Sequence, residues 1–351
     1  MLLALIFFSV KQEIILILIL RRSFLFCGVH FQSNYYSCFS QKHLFLHICD
    51  LIDLKFNQRI MRIAIYSRGL ESEQLEGLKV LLTEFSQYNI EPVIYQDFFN
   101  LFYSSINITH KFSTFNCAAD LDEIDFMISL GGDGTLLDAV TFVGNKGIPI
   151  LGINYGRLGF LASIGRDEIH SALEALVKRT FMIDKRSLVH LDANMPLFKG
   201  LNFALNEFTI HKKDTSPMVK IHTYLNGEFL NTYWADGLIV ATPTGSTGYS
   251  LSCNGPVVFP DSASFVITPV SPHNLNIRPL VIPDDSIISF EVEGRTDGFL
   301  CTLDSRREIA SKEVLLAIRK EVFNINLVRL SEKNFLQTLR SKLSWGLDKR
   351  N

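Results

Sequence analysis

The sequence predicts an α/β N-terminal domain with a parallel sheet, followed by an all-β, β-sandwich-like C-terminal domain. Three observations lead there. The 351 residues are about twice the usual 100 to 200 per domain, so two cores are expected. Apolar strands alternate with helix-spaced leucines over residues 61–151. Past Gly159 the chain turns into a series of short alternating strands. Composition narrows the function class as well. With 47% hydrophobic and 20% charged residues, a fully disordered chain is excluded. The 34 basic against 36 acidic residues leave no basic stripe for a phosphate backbone, so no nucleic-acid partner is expected. The six cysteines include no CxxC pair, which argues against a zinc ribbon or thioredoxin-like site and for reduced thiols in a reducing compartment.

The expected organisation is an atypical hydrophobic extension over 1–60, an α/β domain with a glycine loop over 61–160, a β-rich domain over 161–330 and a C-terminal helix over 331–351 packing back on the first domain. The extension stands apart in composition: no Pro, no Thr, one Ala (Ala4), one Gly (Gly28) and ten aromatics. Its apolar runs, 1–10 and 14–20, are separated by Lys11, Gln12 and Glu13, and neither alone reaches the roughly 20 residues of a spanning helix. Arg21 and Arg22 follow the apolar stretch, whereas a signal peptide carries its positive charge in front. The residues in excess are those favoured by A/T-rich codons, so translated non-coding sequence would look like this. Met61 then opens Arg62-Ile63-Ala64-Ile65-Tyr66, a start followed at once by a strand. The extension therefore reads as a misassigned start, with a membrane anchor or targeting segment and an ordinary extension as the alternatives.

From Met61 onward the elements follow in order. Residues 62–66 form the first strand, and Leu75, Leu78, Leu81, Leu82 and Phe85 fall at helical spacing after it. Residues 92–95 read as a second strand. The apolar run 126–130 leads into Gly131-Gly132-Asp133-Gly134, residues 135–143 look helical, and 148–153 is another short strand. After a helix near 167–179 come strands at 188–191, 204–211, 220–225, 229–234, 238–241, 265–269, 280–282, 287–292 and 299–303. Turn residues such as Asn226-Gly227 and Asp284-Asp285 separate them. Phe335, Leu336, Leu339 and Leu343 mark a closing helix within 333–345.

Three constellations carry chemistry. Gly131-Gly132-Asp133-Gly134-Thr135 sits at the carboxyl end of a buried strand, where glycines and a helix N-terminus turn N–H groups toward phosphate oxygens. It is neither a dinucleotide GxGxxG nor a Walker A loop. A carboxylate inside an anion-binding loop is electrostatically unfavourable, which marks Asp133 as a base or a metal partner rather than a simple cap. Asn206-Glu207 lies in a strand-like run, where both types are depleted; the amide and carboxylate suit sugar hydroxyls, and an exposed strand face or a bulge explains them as easily. The longest is residues 234–252, an apolar strand entered from Asp236-Gly237 and left through Thr242-Pro243-Thr244-Gly245-Ser246-Thr247-Gly248-Tyr249. Its hydroxyls and amides without positive charge fit a base and ribose better than a bare phosphate.

These three in this order, with Leu151-Gly152-Ile153-Asn154-Tyr155-Gly156-Arg157-Leu158-Gly159-Phe160 between the first two, resemble the bacterial type of the NAD kinase (ATP-NAD kinase) family. The likeness covers residues 61–346, including Leu339-Arg340-Ser341-Lys342-Leu343-Ser344-Trp345-Gly346. GGDG alone is shared with diacylglycerol and sphingosine kinases and phosphofructokinases; its combination with Asn206-Glu207 and the Thr242–Thr247 run is specific. The resemblance implies an α/β domain followed by a β-sandwich-like, NAD-binding domain, and transfer of the ATP γ-phosphoryl group to the 2′-hydroxyl of the adenosine ribose of NAD. It implies that Asp133 is the catalytic proton acceptor and that Gly134 and its neighbours lie against phosphates. Asn206 and Glu207 would contact a ribose and base, Asp236 would hold the nicotinamide end, and Thr247, Gly248, Tyr249, Ser250, Leu251 and Ser252 would form the substrate-binding run along the adenine. It further implies a divalent ion, magnesium, held by nucleotide phosphates without dedicated protein ligands, a homo-oligomer (dimer or tetramer), and a cytoplasmic enzyme without stable membrane association. A diacylglycerol-type lipid kinase and a non-catalytic nucleotide-sensing module are the alternatives. The chain departs from the family pattern at Asn254-Gly255, where many members have two glycines before Pro256. It departs again at Asp304-Ser305-Arg306, in place of Asp-Gly-Gln, and around Ser216-Pro217, where a basic residue is common.

The start site is directly testable. Mass measurement of the protein from its native source should find the N-terminal peptide beginning at or just after Met61, and any peptide from residues 1–60 would overturn that reading.

Overall fold

The computed structural model describes residues 59–69, 72–103, 112–156, 159–213, 217–294, 297–330 and 334–345. The readings of residues 1–58, and of Arg157, Leu158, Ser216 and Gly346, lie outside them. The first sheet begins with β1 (Met61–Tyr66), whose alternation places Ile63 and Ile65 in one core and Ala64 and Tyr66 in another. Such two-sided burial is characteristic of a parallel sheet covered by helices. Helix α1 (Ser72–Gln87) packs Leu78, Leu81 and Phe85 on one face, and β2 (Ile90–Tyr95), α2 (Gln96–Tyr103) and β3 (Ser113–Phe115) follow. Then β4 (Phe126–Leu130) leads into α3 (Asp133–Val143), which buries Leu136, Ala139, Val140 and Val143 on the opposite face. The sheet continues with β5 (Ile150–Asn154), the short β6 (Ile164–Gly165), α4 (Ile169–Lys178) and β7 (Phe181–Arg186).

Twelve strands then build the second half in two antiparallel layers of six. These are β8 (Val189–Ala193), β9 (Phe203–Ala204), β10 (Glu207–His211), β11 (Val219–Leu225), β12 (Glu228–Ala235) and β13 (Gly237–Ala241). After the short helix α5 (Tyr249–Ser252) come β14 (Ser264–Val270), β15 (Leu280–Pro283), β16 (Ile288–Glu293), β17 (Gly298–Leu303), β18 (Arg306–Ser311) and β19 (Leu316–Lys320). One layer runs β15-β14-β13-β10-β17-β18 and the other β12-β11-β16-β19-β8-β9. Their facing residues, among them Phe208, Phe265, Phe290 and Phe299, share one core. The β11–β12 hairpin turns at Asn226 and Gly227, with φ of 52° and 85°, as a type I′ turn requires.

The chain finally returns to the first sheet as β20 (Ile325–Leu330) and ends in α6 (Phe335–Leu343), capped by Asn334 accepting from Gln337 N at 2.9 Å. The first sheet is ordered β3-β2-β1-β4-β5-β20-β7, with β6 beside β5. Strands from both sides of residue 160 thus share one sheet. The antiparallel β7 pairs with β20 along its length, a pairing of segments about 140 residues apart that local periodicity could not reveal. Leu188, Phe203 and Leu205 join the core on the α3 face and weld the sandwich to the sheet.

One expected strand is split. Residues 204–211 read as a single run, but β9 belongs to one sandwich layer and β10 to the other, and the chain crosses between them at Leu205-Asn206. The crossing is held by Asp304, whose carboxylate accepts from the N–H groups of Leu205, Asn206 and Glu207 at 2.8, 2.8 and 3.2 Å. Among the described residues no helix is long and apolar enough to cross a membrane.

Gly152 in β5 tests the packing under the site. A Cβ there would meet the Ala162 Cα at 2.7 Å and Leu136 Cδ1 at 2.8 Å. Gly152→Ala should lower stability by about 1–3 kcal/mol, read by urea denaturation, because a backbone atom cannot step aside as a side chain can. An unchanged midpoint would show that the contact relaxes freely.

Candidate functional site

In the sheet order, β1 and β4 are neighbours whose chains continue in opposite directions, β1 toward β2 and β4 toward β5. The crevice at the carboxyl ends of such strands is where open α/β sheets bind ligands. Gly131 makes the turn out of β4 at φ 147°, a conformation that favours glycine, and a Cβ there would strike Thr135 Oγ1 at 2.4 Å. Its N–H is spent on Ile153 O at 2.9 Å, which leaves the first-turn amides of α3 at the crevice.

Asp133, the first residue of α3, is held by the loop that follows β5. Its Oδ2 accepts from Phe160 N at 2.8 Å and its Oδ1 from Leu161 N and Ala162 N at 3.0 and 2.9 Å. A carboxylate has about four lone-pair sites, so one on Oδ2 is left for a further donor. Gly159 makes room for this grip, since a Cβ on it would fall 1.7 Å from Asp133 Oδ1. The sequence showed the aspartate and the Leu151–Phe160 segment, but not that one clasps the other.

The second group forms where the chain crosses the sandwich. Thr242 seals the crossing, its N–H donating to Asn206 O at 2.8 Å and its Oγ1 to Leu205 O at 2.6 Å. Gly245 lies so close that a Cβ would meet Asn206 O at 2.1 Å. The side chains of Asn206 and Glu207 converge on the same turn: a Cβ on Gly248 would lie 3.0 Å from Glu207 Oε2 and 3.6 Å from Asn206 Nδ2. Both Asn206 Oδ1 and Glu207 Oε2 are buried without a hydrogen-bond partner. Glu207 is pushed up from its ordinary 4.5 to about 8 by burial and by the neighbouring Asp304 charge, with the Tyr249 backbone N–H opposing. Burial likewise raises Asp304, against the three amides that it accepts.

Tyr249 stacks on His211, ring centroids 5.5 Å apart at 29°. Burial lowers the His211 pKa, while the backbone and charge of Asp236 oppose it. Asp236 itself pairs with Lys212, Nζ to Oδ1 at 2.8 Å. The remaining residues of the run divide. Thr247 Oγ1 donates inward to Thr244 O at 3.2 Å, and Ser250 Oγ is buried against Thr268 Oγ1 at 2.8 Å, so both hydroxyls serve the loop. Leu251 is half-buried and Ser252 exposed. The Asn254 departure is accommodated because Asn254 sits at φ 64°, a conformation Asn tolerates, while a Cβ on Gly255 would strike Ser250 Oγ at 2.1 Å.

The two groups are bridged by the Asp304-Ser305 turn. Asp304 holds the 205–207 amides, and Ser305 Oγ donates to Asp138 Oδ1 of α3 at 3.2 Å. A second bridge is the buried Arg186, which pairs with Asp184 at 2.7 Å and donates to Thr244 Oγ1 at 3.2 Å. Neither Asp138 nor Arg186 stood out in the sequence, because the partners of Asp138, and the Thr244 that Arg186 reaches, lie far along the chain. Among the described residues no three His, Cys, Asp or Glu side chains converge as a metal cage.

Two family models match: the ATP-NAD kinase N-terminal domain over residues 77–181 and the ATP-NAD kinase C-terminal domain over 205–330. A glycine-loop α/β sheet joined to a β-sandwich is thus the architecture of a nucleotide-binding phosphotransferase. An NAD kinase of Cytophaga hutchinsonii is 48% identical over 292 residues, 83% of this chain and 100% of that protein. One of Bacteroides fragilis is 40% identical over 290 residues, with the same shares. Among solved structures, yeast NADH kinase complexed with NADH has a TM-score of 0.76 at 22% identity, covering 83% of this chain and 89% of that one. An NAD kinase from Archaeoglobus fulgidus in complex with ATP has a TM-score of 0.65 at 23% identity, covering 81% and 99%. At those identities the structures speak for the fold. The chain belongs to the NAD kinase family.

The raised carboxyl makes a pH prediction. Folding keeps a proton on Glu207 that the unfolded chain has released above 4.5, so this group's contribution to stability falls as pH rises from 4.5 toward 8 and then levels. The slope is at most about 1.4 kcal/mol per pH unit. Glu207→Gln removes it, so the stability of the variant relative to the parent should grow between pH 5 and 8 in urea denaturation. A flat difference would show that Glu207 is ionised in the folded protein.

Proposed function

We propose that this protein transfers the γ-phosphoryl group of ATP to the 2′-hydroxyl of the adenosine ribose of NAD, giving NADP and ADP. Beyond family membership, the observation that supports this most is the pairing of two sites across one bridge. An aspartate with one open lone pair stands at a helix N-terminus, and a pocket of unpartnered polar acceptors beside an aromatic stack lies across the Asp304-Ser305 turn. The first suits phosphoryl transfer and the second a nucleoside.

In this reading Asn206 and Glu207 take the ribose and base, Tyr249 and Gly248 line the adenine, and Asp236 faces the nicotinamide end. The 2′-hydroxyl donates to the open lone pair of Asp133 Oδ2. As its oxygen bonds to the γ-phosphorus, the bond from that phosphorus to the β,γ-bridging oxygen breaks, ADP leaves with the electron pair, and Asp133 holds the proton. A loose transition state asks mainly for position and charge neutralisation, which the clasp of Asp133 by three amides and the first-turn amides of α3 supply. No protein cage converges among the described residues, and the Asp138 carboxylate is engaged by Arg68, Tyr66 and Ser305, so the donor set fits a divalent ion held by the nucleotide phosphates. That ion, magnesium, would offset phosphate charge when bound. A homo-oligomer in the cytoplasm completes the proposal, resting on the family resemblance and the reduced cysteines. The lipid-kinase and sensor readings are not favoured. Formation of NADP from NAD by the purified protein with ATP and magnesium tests the reading, and nucleotide binding without turnover would overturn it.

Two aspartates should separate in steady-state kinetics. Asp133→Asn removes the proton acceptor and turns an amide donor toward a loop N–H, so kcat should fall about 10² to 10⁴-fold. Asp236→Asn should chiefly raise the KM for NAD. Near-normal kcat in folded Asp133→Asn would reduce the glycine loop to a phosphate cradle.

A further inference from the structure

The crevice at the β1–β4 junction receives a second contribution, from β1. Just past its carboxyl end, Arg68 reaches over the glycine loop: its Nη1 lies 3.1 Å from where a Cβ on Gly134 would stand. The guanidinium is held in place. Arg68 Nη2 donates to Asp138 Oδ1 at 2.6 Å, and Nε donates to Oδ2 of the same carboxylate, a two-pronged pair. Tyr66 Oη donates to Asp138 Oδ2 at 3.1 Å, and Ser305 Oγ touches both members, donating to Asp138 Oδ1 at 3.2 Å and accepting from Arg68 Nη2 at 3.4 Å. These contacts use Nε and Nη2 and leave Nη1 turned to Gly134. The side chain is still 46% exposed, so a ligand can reach it.

An arginine fixed by a carboxylate and a hydroxyl beside a phosphate-type glycine loop is a built anion contact. A surface ion pair alone would contribute little and would need no such bracing. The residues that read as taking up NAD lie across the bridge, on the sandwich side. An anion bound beside Gly134, one residue from the proton acceptor, would then be the polyphosphate of the donor. Resting on the phosphoryl-transfer reading above, we propose that Arg68 binds donor phosphate oxygens over the glycine loop, with Asp138 and Ser305 as its positioning residues. Ser305 thereby gives a role to the Asp304-Ser305-Arg306 departure. A hydroxyl replaces the glycine of the family's Asp-Gly-Gln pattern and ties the sandwich to the arginine.

Steady-state kinetics with ATP and NAD varied separately tests this on the full chain. Arg68→Gln should raise the KM for ATP by about tenfold or more, with the KM for NAD within about twofold. Arg68→Lys should recover part of the loss, since it restores the charge without the fork. Ser305→Ala, which keeps Arg68 but removes its brace, should raise the KM for ATP by a smaller factor, about two to five. An unchanged KM for ATP in Arg68→Gln, or an equal rise for NAD, overturns the assignment. Should Arg68→Gln fail to fold by circular dichroism, the other two variants decide, and a normal KM for ATP in both overturns it. Absence of NADP formation by the unsubstituted protein would remove the functional reading and this inference together.

Discussion

The buried carboxylate of Asp304 is the constraint on which the site depends. Where the chain leaves one layer of the sandwich for the other, the amides of Leu205, Asn206 and Glu207 have no ladder to join, and an unpaired buried amide costs about 1–3 kcal/mol. One side chain satisfies all three. Asp304 reaches them from a turn in the left-handed region, φ 53°, and is itself raised by burial. Because the crossing is pinned, Asn206 and Glu207 point away from the strand ladder into the turn made by Gly245 and Gly248. Burial, and second to it the nearby Asp304, holds Glu207 back from ionising. The Asp304 carboxylate thus fixes the shape of the Asn206-Glu207 crossing and adds to the burial that keeps Glu207 protonated.

Asp133 repeats the device on the other side. It too gathers three consecutive amides, those of Phe160, Leu161 and Ala162, which leave β5 without strand partners of their own. In both places a short acidic side chain replaces secondary structure over three residues, so the loop is as rigid as the carboxylate that holds it. The difference lies in solvent and charge. Asp304 is enclosed and serves only the backbone, whereas Asp133 opens on the crevice beside a helix N-terminus.

The coupling of the two halves follows from the same turn. Ser305 meets Asp138 and Arg68 on the sheet, and Arg306 donates to the carbonyls of Leu201 and Phe203 and lies 5.6 Å over the Phe203 ring. Three successive residues therefore tie the strand crossing, the glycine-loop helix and the entry to β9 into one body. Phe203 and Leu205 add apolar packing against the sheet, so the bridge is not polar alone. Two of the departures from the family pattern fall on this bridge and on Asn254, positions where a cross-domain contact or the backbone conformation sets the requirement.

How much was legible in the sequence follows from the range of each interaction. Strands such as Met61–Tyr66 and Phe126–Leu130, the helix carrying Leu78, Leu81 and Phe85, and the Asn226-Gly227 turn declare themselves locally, because burial alternates with a fixed period and a turn needs particular φ values. The glycine loop and the Asn206-Glu207 and Thr242–Thr247 runs were visible for the same reason: their chemistry is unusual for the elements they interrupt. Strands β7 and β18 were not visible, since Asp184, Arg186, Arg306, Arg307 and Glu308 mask the apolar alternation until neighbouring strands cover it, and the short β19 and β20 did not stand out although they alternate. Nor could the sequence show that the run 204–211 breaks, because the break depends on a carboxylate about a hundred residues away. By itself the sequence determined the two-part fold class and singled out the glycine loop and the Asn206-Glu207 and Thr242–Thr247 runs. The tertiary structure alone decided which of them converge, because the grip of Asp304 on 205–207, of the 160–162 amides on Asp133 and of Asp138 on Arg68 all join residues that only folding brings within hydrogen-bond reach.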